Sequence, residues 1–207
     1  MTHRYIPPRK PFETNRRFAP SSAVATPTIF VYEPERRASL SVTGTIKYED
    51  VQPFYESNLV KILIGKGVIA IGDDAFSDCT ALTTITIPDS VTTIGDEAFS
   101  RCTALTTITI PTGVGSIGAY AFYGCTALAT ITIPAGVATI EAEAFHGCTN
   151  LTTITLPAVT NIGSRAFSDC TALTTITIPA VTNIGDEAFS RCTALTTITI
   201  PDSVESI

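Results

Sequence analysis

The chain has 207 residues, 44% of them hydrophobic, and a formal net charge of −6. Enough apolar side chains are present to fill a continuous core, so the composition excludes a disordered protein. No run of about 18 apolar residues occurs, so the sequence predicts no membrane-spanning helix. Residues 71–207 hold three Arg against thirteen acidic residues. This balance disfavours nucleic-acid binding, because an acidic body repels the phosphate backbone.

Residues 1–27 form a basic, Pro-rich segment, MTHRYIPPRKPFETNRRFAPSSAVATP. The segment lacks the apolar run of a secretory signal peptide, and its prolines oppose the amphipathic helix of an organelle-targeting peptide. We therefore expect a disordered tail here. The same features favour a cytoplasmic location.

A small β cap is predicted over residues 28–58. The stretch TIFVYEPERRASLSVTGTI reads as two strands joined by a turn at residues 33–37. After the cap, LVKILIGKGVIAI (residues 59–71) aligns letter for letter with LTTITIPDSVTTI (residues 82–94). We therefore expect a half repeat at 59–70 with a strand of its own, and a cap that covers the apolar end of the stack.

Six repeats of 22 or 23 residues follow from residue 71, and the Ile before each Ala-Phe pair marks the period. Within a repeat, LTTITI alternates Thr with Ile, which predicts a half-buried strand with Ile inward and Thr outward. Pro ends the strand, and Gly followed by acidic residues suits a short helical or 3₁₀ turn. One repeat cannot bury its own apolar side chains, so we expect a solenoid of stacked repeats with parallel strands.

Each repeat keeps, with few departures, the pattern Ile-Gly-x-x-Ala-Phe-x-x-Cys-x-x-Leu-x-x-Ile-x-Ile-Pro. This pattern resembles the BspA-like leucine-rich repeat family over residues 39–207, and LSVTGTIKYEDVQPFYESNLVKILIGKGV resembles the segment that often precedes such repeats. The resemblance implies a curved leucine-rich repeat solenoid with a parallel β-sheet on the concave face and short helical or 3₁₀ turns opposite. It also implies a non-enzymatic scaffold for protein binding or adhesion, used on bacterial surfaces and in many protist proteins.

Each of the six repeats also carries one cysteine, three residues after its Phe; the six are Cys79, Cys102, Cys125, Cys148, Cys170 and Cys192. An even count invites a disulfide framework. However, parallel side chains that point inward do not readily adopt the disulfide torsion of about 90°. We favour reduced, buried thiols over bridges, and both over metal ligation, because no CxxC pair or His cluster accompanies them. The sequence predicts no metal and no cofactor.

The third and fourth repeats differ from the others on the turn side, where they carry Tyr120, Tyr123, Glu141, Glu143 and His146. A His beside two carboxylates could perform acid–base chemistry. We favour instead an exposed, variable position for His146, equivalent to that of Ser77, and we predict no enzyme. The tyrosines either anchor a protein partner or reflect drift at tolerant surface positions, and we favour drift.

The outward threonines form two predicted columns: Thr84, Thr86, Thr107, Thr109, Thr130, Thr132, Thr153, Thr155, Thr175, Thr177, Thr197 and Thr199. Such a grid resembles the ice-binding faces of certain β-solenoid antifreeze proteins. Alternatively, Thr simply suits an exposed strand, and we favour this structural explanation. As a function, we predict protein binding or adhesion through the Thr-lined concave face or the Tyr-bearing turns, with binding of ice or another regular surface as the alternative.

The last repeat has no predicted neighbour on its C-terminal side. A final strand is expected at Thr196–Ile200. In this last repeat, an apolar cover would be lacking for Leu195, Ile198, Ile200 and Phe189. Such an edge is a template for association. We therefore expect either a fragment of a longer chain or an end-to-end twofold homodimer.

Overall fold

The computed structural model describes residues 28–32, 37–42, 44–52 and 60–205. The repeats fold as rungs of a parallel β-solenoid, and we number them 1 to 6 from their first residues, Ile71, Ile94, Ile117, Ile140, Ile162 and Ile184. The strands are β1 (Thr28–Tyr32), β2 (Arg37–Ser41), β3 (Gly44–Ile46), β4 (Lys61–Ile64), β5 (Val68–Ile71), β6 (Thr84–Thr86), β7 (Thr93–Ile94), β8 (Thr107–Thr109), β9 (Ser116–Ile117), β10 (Thr130–Thr132), β11 (Thr139–Ile140), β12 (Thr153–Thr155), β13 (Asn161–Ile162), β14 (Thr175–Thr177) and β15 (Asn183–Ile184).

Two sheets run along the solenoid. The first has the order β14-β12-β10-β8-β6-β4-β1-β2, and its strands from β4 to β14 are parallel. It contains the Thr-Ile-Thr segments, in which Ile is buried, so the predicted parallel strands with inward Ile are confirmed. The second sheet, β15-β13-β11-β9-β7-β5-β3, was not predicted. Most of its strands have two residues, too few to show an alternation of period two.

The third side of each rung, which we call the turn wall, consists of residues 73–78 in rung 1 and their equivalents. The expected helical or 3₁₀ turn is absent here from all six rungs. Asp74 and Asp78 have φ of 55° and 57°, values that a right-handed helix does not allow. Consecutive tight turns form instead, and every second amide points toward the next rung. Within the described residues the one helix is α1 (Tyr48–Val51), which lies before the rungs.

Stacked identical side chains fill the core. The Phe rings of successive rungs stack with centroids 5.2 to 5.7 Å apart and planes within 12° of parallel, from Phe76 to Phe189. Ladders of Ala, Leu, Ile, Val and Cys lie beside them and are buried in the inner rungs. Because each ladder gains partners only from neighbouring rungs, the core depends on stacking, as expected for a solenoid.

At the N-terminal end, β1 lies antiparallel between β4 and β2 in the first sheet, while β3 pairs with β5 in the second. Strands β1 and β2 occupy the stretch where two strands were expected. Their connection at residues 33–36 and the tail at residues 1–27 lie outside the described residues. The division into tail, cap and solenoid stays a prediction.

At the C-terminal end, the final strand expected at Thr196–Ile200 does not form. The segment forms no ladder of backbone hydrogen bonds with β14. Further along the chain, the Ser203 hydroxyl donates to the carbonyl of Val181 in rung 5, and the amide of Glu205 donates to the carbonyl of Thr182, each at 2.7 Å. Phe189, Leu195 and Ile198 are partly buried, and Ile200 is 39% exposed. Among the described residues, this segment is therefore less regular than the strands of the preceding rungs.

Candidate functional site

The sequence-predicted threonines lie together on the outer surface of the first sheet. We call this surface the threonine face, defined by the twelve threonines of the two predicted columns. Thr84 is half-buried and the other eleven are exposed. Thr197 and Thr199 extend the columns beyond the last strand, β14. Between Leu and Pro, no repeat carries a charged residue, so rungs 1 to 6 present an uncharged strip of methyl and hydroxyl groups.

The hydroxyls of the threonine face differ from those of their immediate neighbours in sequence. Thr83, one residue before the face, donates its hydroxyl to the carbonyl of Val60 in the preceding turn at 2.9 Å. Thr174 likewise donates to Thr152 at 3.1 Å. In the described residues no hydroxyl of the threonine face has such a partner. The hydroxyls of Thr83 and Thr174 thus connect adjacent rungs. The hydroxyls of the threonine face can instead form hydrogen bonds with water or with a bound molecule.

The strands of the threonine face pair to different extents. Thr107 and Thr109 pair in register with Thr130 and Thr132 of the next rung, and β12 pairs with β14 over three residues as well. From β6 to β8 and from β10 to β12 the pairing is limited to one residue pair each, Thr84 with Thr107 and Thr130 with Thr153. A depression of about 400 Å³ lies beside the latter pair, lined by Thr130, Ile131, Thr132, Ile133, Thr153, Ile154, Thr155 and Pro157. The face therefore combines an array of Thr columns with a depression near its middle.

The aromatic residues of rungs 3 and 4 form a second group, on the turn wall. The Tyr120 and Tyr123 rings lie 5.8 Å apart, and Tyr123 stacks on His146 at 5.0 Å. Tyr120, which is 36% exposed, donates its hydroxyl to Glu143 at 3.2 Å. The Glu143 carboxylate also raises the pKa of Tyr120 above its usual range. The predicted residues are thus brought together, except Glu141, for which no contact to them is seen.

His146 is less exposed than the sequence suggested, with 22% of its side chain accessible. Its Nε2 lies 3.7 Å from Asp169, while its buried Nδ1 has no hydrogen-bond partner. The sequence analysis did not identify Asp169. It directly follows Ser168, the residue of rung 5 that is equivalent to His146, so the repeat alignment could have indicated it. The amide of His146 donates to the backbone carbonyl of Glu143 at 3.0 Å. The imidazole's carboxylate neighbour is Asp169 and neither Glu141 nor Glu143, so the triad considered for acid–base chemistry does not form.

A polar depression of about 450 Å³ adjoins His146; its lining is Glu143, His146, Arg165, Ser168, Asp169, Glu187, Ser190 and Arg191. Its charges largely pair with each other. Arg165 contacts Glu187 at 2.7 Å, and this pair lowers the pKa of Glu187 and raises that of Arg165. Arg191 lies 3.6 Å from Asp169. Because these ion pairs are exposed, their contribution to stability is small.

In the described part of the chain, no helix is both long and apolar enough to cross a bilayer. No group of three or more His, Cys, Asp or Glu side chains in the same residues is arranged to hold a metal ion.

Comparison with known proteins places these features in context. Residues 50–170 and 115–207 match the BspA type leucine-rich repeat region, in six copies. The structure of a leucine-rich repeat protein from T. pallidum is similar, with 32% identity and a TM-score of 0.65, over 72% of this chain and 78% of that one. A second, from Bacteroides ovatus, has 32% identity and a TM-score of 0.61, over 84% of this chain and 50% of that one. This chain thus spans half the length of the B. ovatus protein. A comparison with curated proteins found no match.

Proposed function

Because the chain belongs to the BspA-type leucine-rich repeat family, we propose that it is a non-enzymatic scaffold whose threonine face binds a protein partner. The observation that carries this proposal is the contrast between Thr83, whose hydroxyl is bonded within the chain, and Thr84 and its equivalents, whose hydroxyls are not. A surface that only stabilised the strands would be expected to use its hydroxyls as Thr83 does.

The chemistry of the face defines the partner. An uncharged strip of methyl and hydroxyl groups offers short-range hydrogen bonds and apolar contact, without long-range electrostatic attraction. The side chains are short and branched, so few rotamers are lost on binding. We expect a partner surface that is nearly flat, poor in charge and rich in backbone or amide groups, with a projecting side chain that enters the depression at Thr130–Pro157.

A photo-crosslinking experiment tests the proposal. A photoreactive amino acid is placed at Thr132 on the threonine face and, as a matched control, at Arg101 on the turn wall. Both positions are exposed. In an extract of the source cells, the Thr132 probe should give a discrete crosslinked protein that the Arg101 probe does not give. The same crosslinks from both probes would contradict the assignment of the threonine face.

The Tyr-bearing turns are a second candidate surface for the same function. Tyr120 is fixed by Glu143, and Tyr123 by His146, so both rings are held in place before a partner arrives, which lowers the entropic cost of binding. A third photoreactive probe at Tyr120 tests this surface. Crosslinks from the Tyr120 probe and none from the Thr132 probe would show that the partner binds the Tyr-bearing turns and not the threonine face.

Binding of ice or another regular surface is the second candidate function. The observation that favours it is the register of the columns, with Thr107 beside Thr130 and Thr109 beside Thr132. Rungs spaced by about 4.8 Å then present unbonded hydroxyls at a fixed repeat. Thermal hysteresis and ice-recrystallisation assays test it directly. Thermal hysteresis that is present in the parent protein and lost in Thr130→Leu/Thr132→Lys would support ice binding. A parent protein with no activity in either assay would contradict it.

A further inference from the structure

The aromatic stack on the turn wall stops at His146. Tyr123 and His146 hold equivalent positions in rungs 3 and 4, and their rings stack at 5.0 Å with planes 6° apart. The equivalent residues of rungs 5 and 6 are Ser168 and Ser190, whose side chains are too small to continue the stack. The wall therefore steps down beyond His146. The polar depression of about 450 Å³ lies at this place, and we call it the serine step.

Two side chains that line the serine step carry polar groups without hydrogen-bond partners. Ser168 is only 4% exposed, and its hydroxyl makes no hydrogen bond within the described residues. The buried Nδ1 of His146 has no partner there either. Its Nε2 lies 3.7 Å from Asp169, which is too long for a hydrogen bond. Because buried polar groups are normally paired, the serine step has unused hydrogen-bonding capacity that a polar ligand can take up.

The charges around the serine step favour a neutral ligand. Its lining contains three carboxylates, those of Glu143, Asp169 and Glu187. It also contains the guanidinium groups of Arg165 and Arg191. An anion would be repelled by the carboxylates and a cation by the guanidinium groups, and an apolar molecule would remove water from both without replacing its hydrogen bonds. Hydroxyl groups both donate and accept, so a neutral molecule with several of them suits carboxylates and guanidinium groups at once.

The shape of the serine step favours a ring. Tyr123 packs on one face of His146, and the residue equivalent to His146 in the next rung, Ser168, has no ring to cover the other face. A sugar ring has C–H groups on its faces, which pack on an aromatic ring, and hydroxyl groups around its edge. A volume of about 450 Å³ lies within the range of small-molecule sites. The serine step thus has room for a sugar residue stacked on His146.

We propose that the serine step is a binding site for a neutral saccharide. One sugar residue continues the stack of Tyr123 and His146, and its hydroxyls bond to Ser168 and to the charged side chains of the same rung, Arg165 and Asp169. These contacts belong to rungs 3 to 5, where the turn walls are followed by a further rung. The site is on the turn wall and separate from the threonine face, so it stands whether or not that face binds a protein.

A glycan array followed by an NMR titration tests the proposal. The 207-residue protein is applied to an array of neutral glycans, and the terminal sugar of those that bind is then titrated into it as the methyl glycoside. We expect saturable shifts of the His146 ring signals and of the amides of Ser168 and Asp169. The amides of Thr107 and Thr109, on the threonine face, should not shift.

Three variants locate the contacts. His146→Ser introduces the residue that rungs 5 and 6 carry at this position, so the rung should stay folded while the stacking surface is lost. Ser168→Ala removes the hydroxyl alone. Each should bind the glycoside at least about tenfold more weakly, as expected for the loss of a ring contact or a hydrogen bond. Ser100→Ala is the matched control, since Ser100 is the equivalent residue of rung 2 and is 3% exposed; its affinity should equal that of the parent.

Several results would overturn the proposal. The serine step would hold water only if no neutral glycan on the array bound the protein. It would not be the site if a folded His146→Ser variant bound the glycoside as the parent does, or if the shifts were confined to the threonine face. Inorganic phosphate and free lysine serve as charged probes. Shifts of the Ser168 and Asp169 amides with either probe, and none with the glycosides, would assign the serine step to a charged ligand instead.

Discussion

The thiol of Cys148 donates a hydrogen bond to the carbonyl oxygen of Phe122, in the preceding rung, at 3.2 Å. Cys102, Cys125, Cys170 and Cys192 make the same bond to the Phe one rung before them, at 3.1 to 3.2 Å. Each of these carbonyl groups accepts a second hydrogen bond within its own rung. The carbonyl of Phe122, for example, also accepts from the backbone amide of Cys125 at 3.2 Å. All six cysteines are free and buried, in agreement with the sequence-based preference for thiols over disulfides. Five of them also donate these hydrogen bonds between rungs.

The first prediction concerns the number and protection of these thiols. In denaturant without reductant, a thiol reagent should modify close to six cysteines per chain. In the native protein, the other five should react far more slowly than Cys192, because they are more deeply buried. Burial also raises the pKa of Cys102, Cys125, Cys148 and Cys170, which disfavours their reactive thiolate. Cys192, the most exposed of the six, should react first. The absence of free thiols in the denatured protein would exclude the buried ladder.

The second prediction is a loss of stability at alkaline pH. Burial raises the pKa of Cys125 from 9.0 to about 12, and it also raises the pKa of Cys102 and Cys148. Above pH 9 the unfolded chain loses these protons while the folded chain keeps them, so the unfolded state binds fewer protons and stability falls as pH rises. Each such thiol contributes a slope of about 1.4 kcal/mol per pH unit between the two pKa values.

The free energy of unfolding, measured in urea at several pH values from 8 to 11, gives this slope for the parent and for a variant that lacks one thiol. Cys125→Ala should be less stable than the parent at pH 8 but should lose stability less steeply with pH. Parallel curves for parent and variant would show that the Cys125 thiol does not contribute. Tyr and Lys also titrate in this range, and the comparison between the two proteins removes their common effect.

The periodic features of the fold could be predicted from the sequence, because the same residue pattern recurs in six repeats. The alternation around Ile108 and the constant place of Cys102 identify inward positions, and the Ile marker gives the period. The left-handed residues of the turn wall could not be predicted in the same way. Asp74 and Glu97 are ordinary acidic residues in sequence, and it is the inter-rung bond from each amide that holds φ near 55°.

The candidate site likewise has features that could be predicted from the sequence and features that could not. Composition was enough to identify the columns of Thr and the aromatic residues of rungs 3 and 4. It could not show that Thr83 is bonded and Thr84 is not, because the two are the same residue type and differ only in the direction of their side chains. The contact of His146 with Asp169 depends on how neighbouring rungs are aligned, which a single repeat does not reveal.

The third prediction tests the close approach of adjacent rungs. A Cβ added at Gly118 would lie 2.5 Å from the backbone carbon of Gly95 in the preceding rung, whereas one added at Gly115 would meet nothing within 4 Å. Gly118→Ala should therefore force the rungs apart and cost about 1–3 kcal/mol or more. Gly115→Ala should be close to neutral in the same thermal or urea unfolding experiment. Equal stabilities of the two variants would contradict the observed packing.

The fourth prediction compares two adjacent threonines that are both half-buried. Thr83→Val removes the 2.9 Å hydrogen bond to Val60, which leaves that carbonyl with one donor fewer. The expected cost is about 1 kcal/mol. Thr84→Val removes no bond within the chain and should be neutral or slightly stabilising, since Val suits a strand. A loss at Thr84 that equals the loss at Thr83 would mean that the hydroxyls of the threonine face are structural.

The central claim is that the threonine face binds the partner, and the affinity of the crosslinked partner for face-selective variants tests it most directly. Thr109→Lys/Thr132→Lys places two charges on the face, and Thr112→Lys places the same side chain at an exposed position away from it. All proteins should melt within a few degrees of the parent. The face variant should bind at least about 100-fold more weakly, a loss of about 2.7 kcal/mol, while Thr112→Lys should bind as the parent does. A folded face variant with the parent's affinity would contradict the claim.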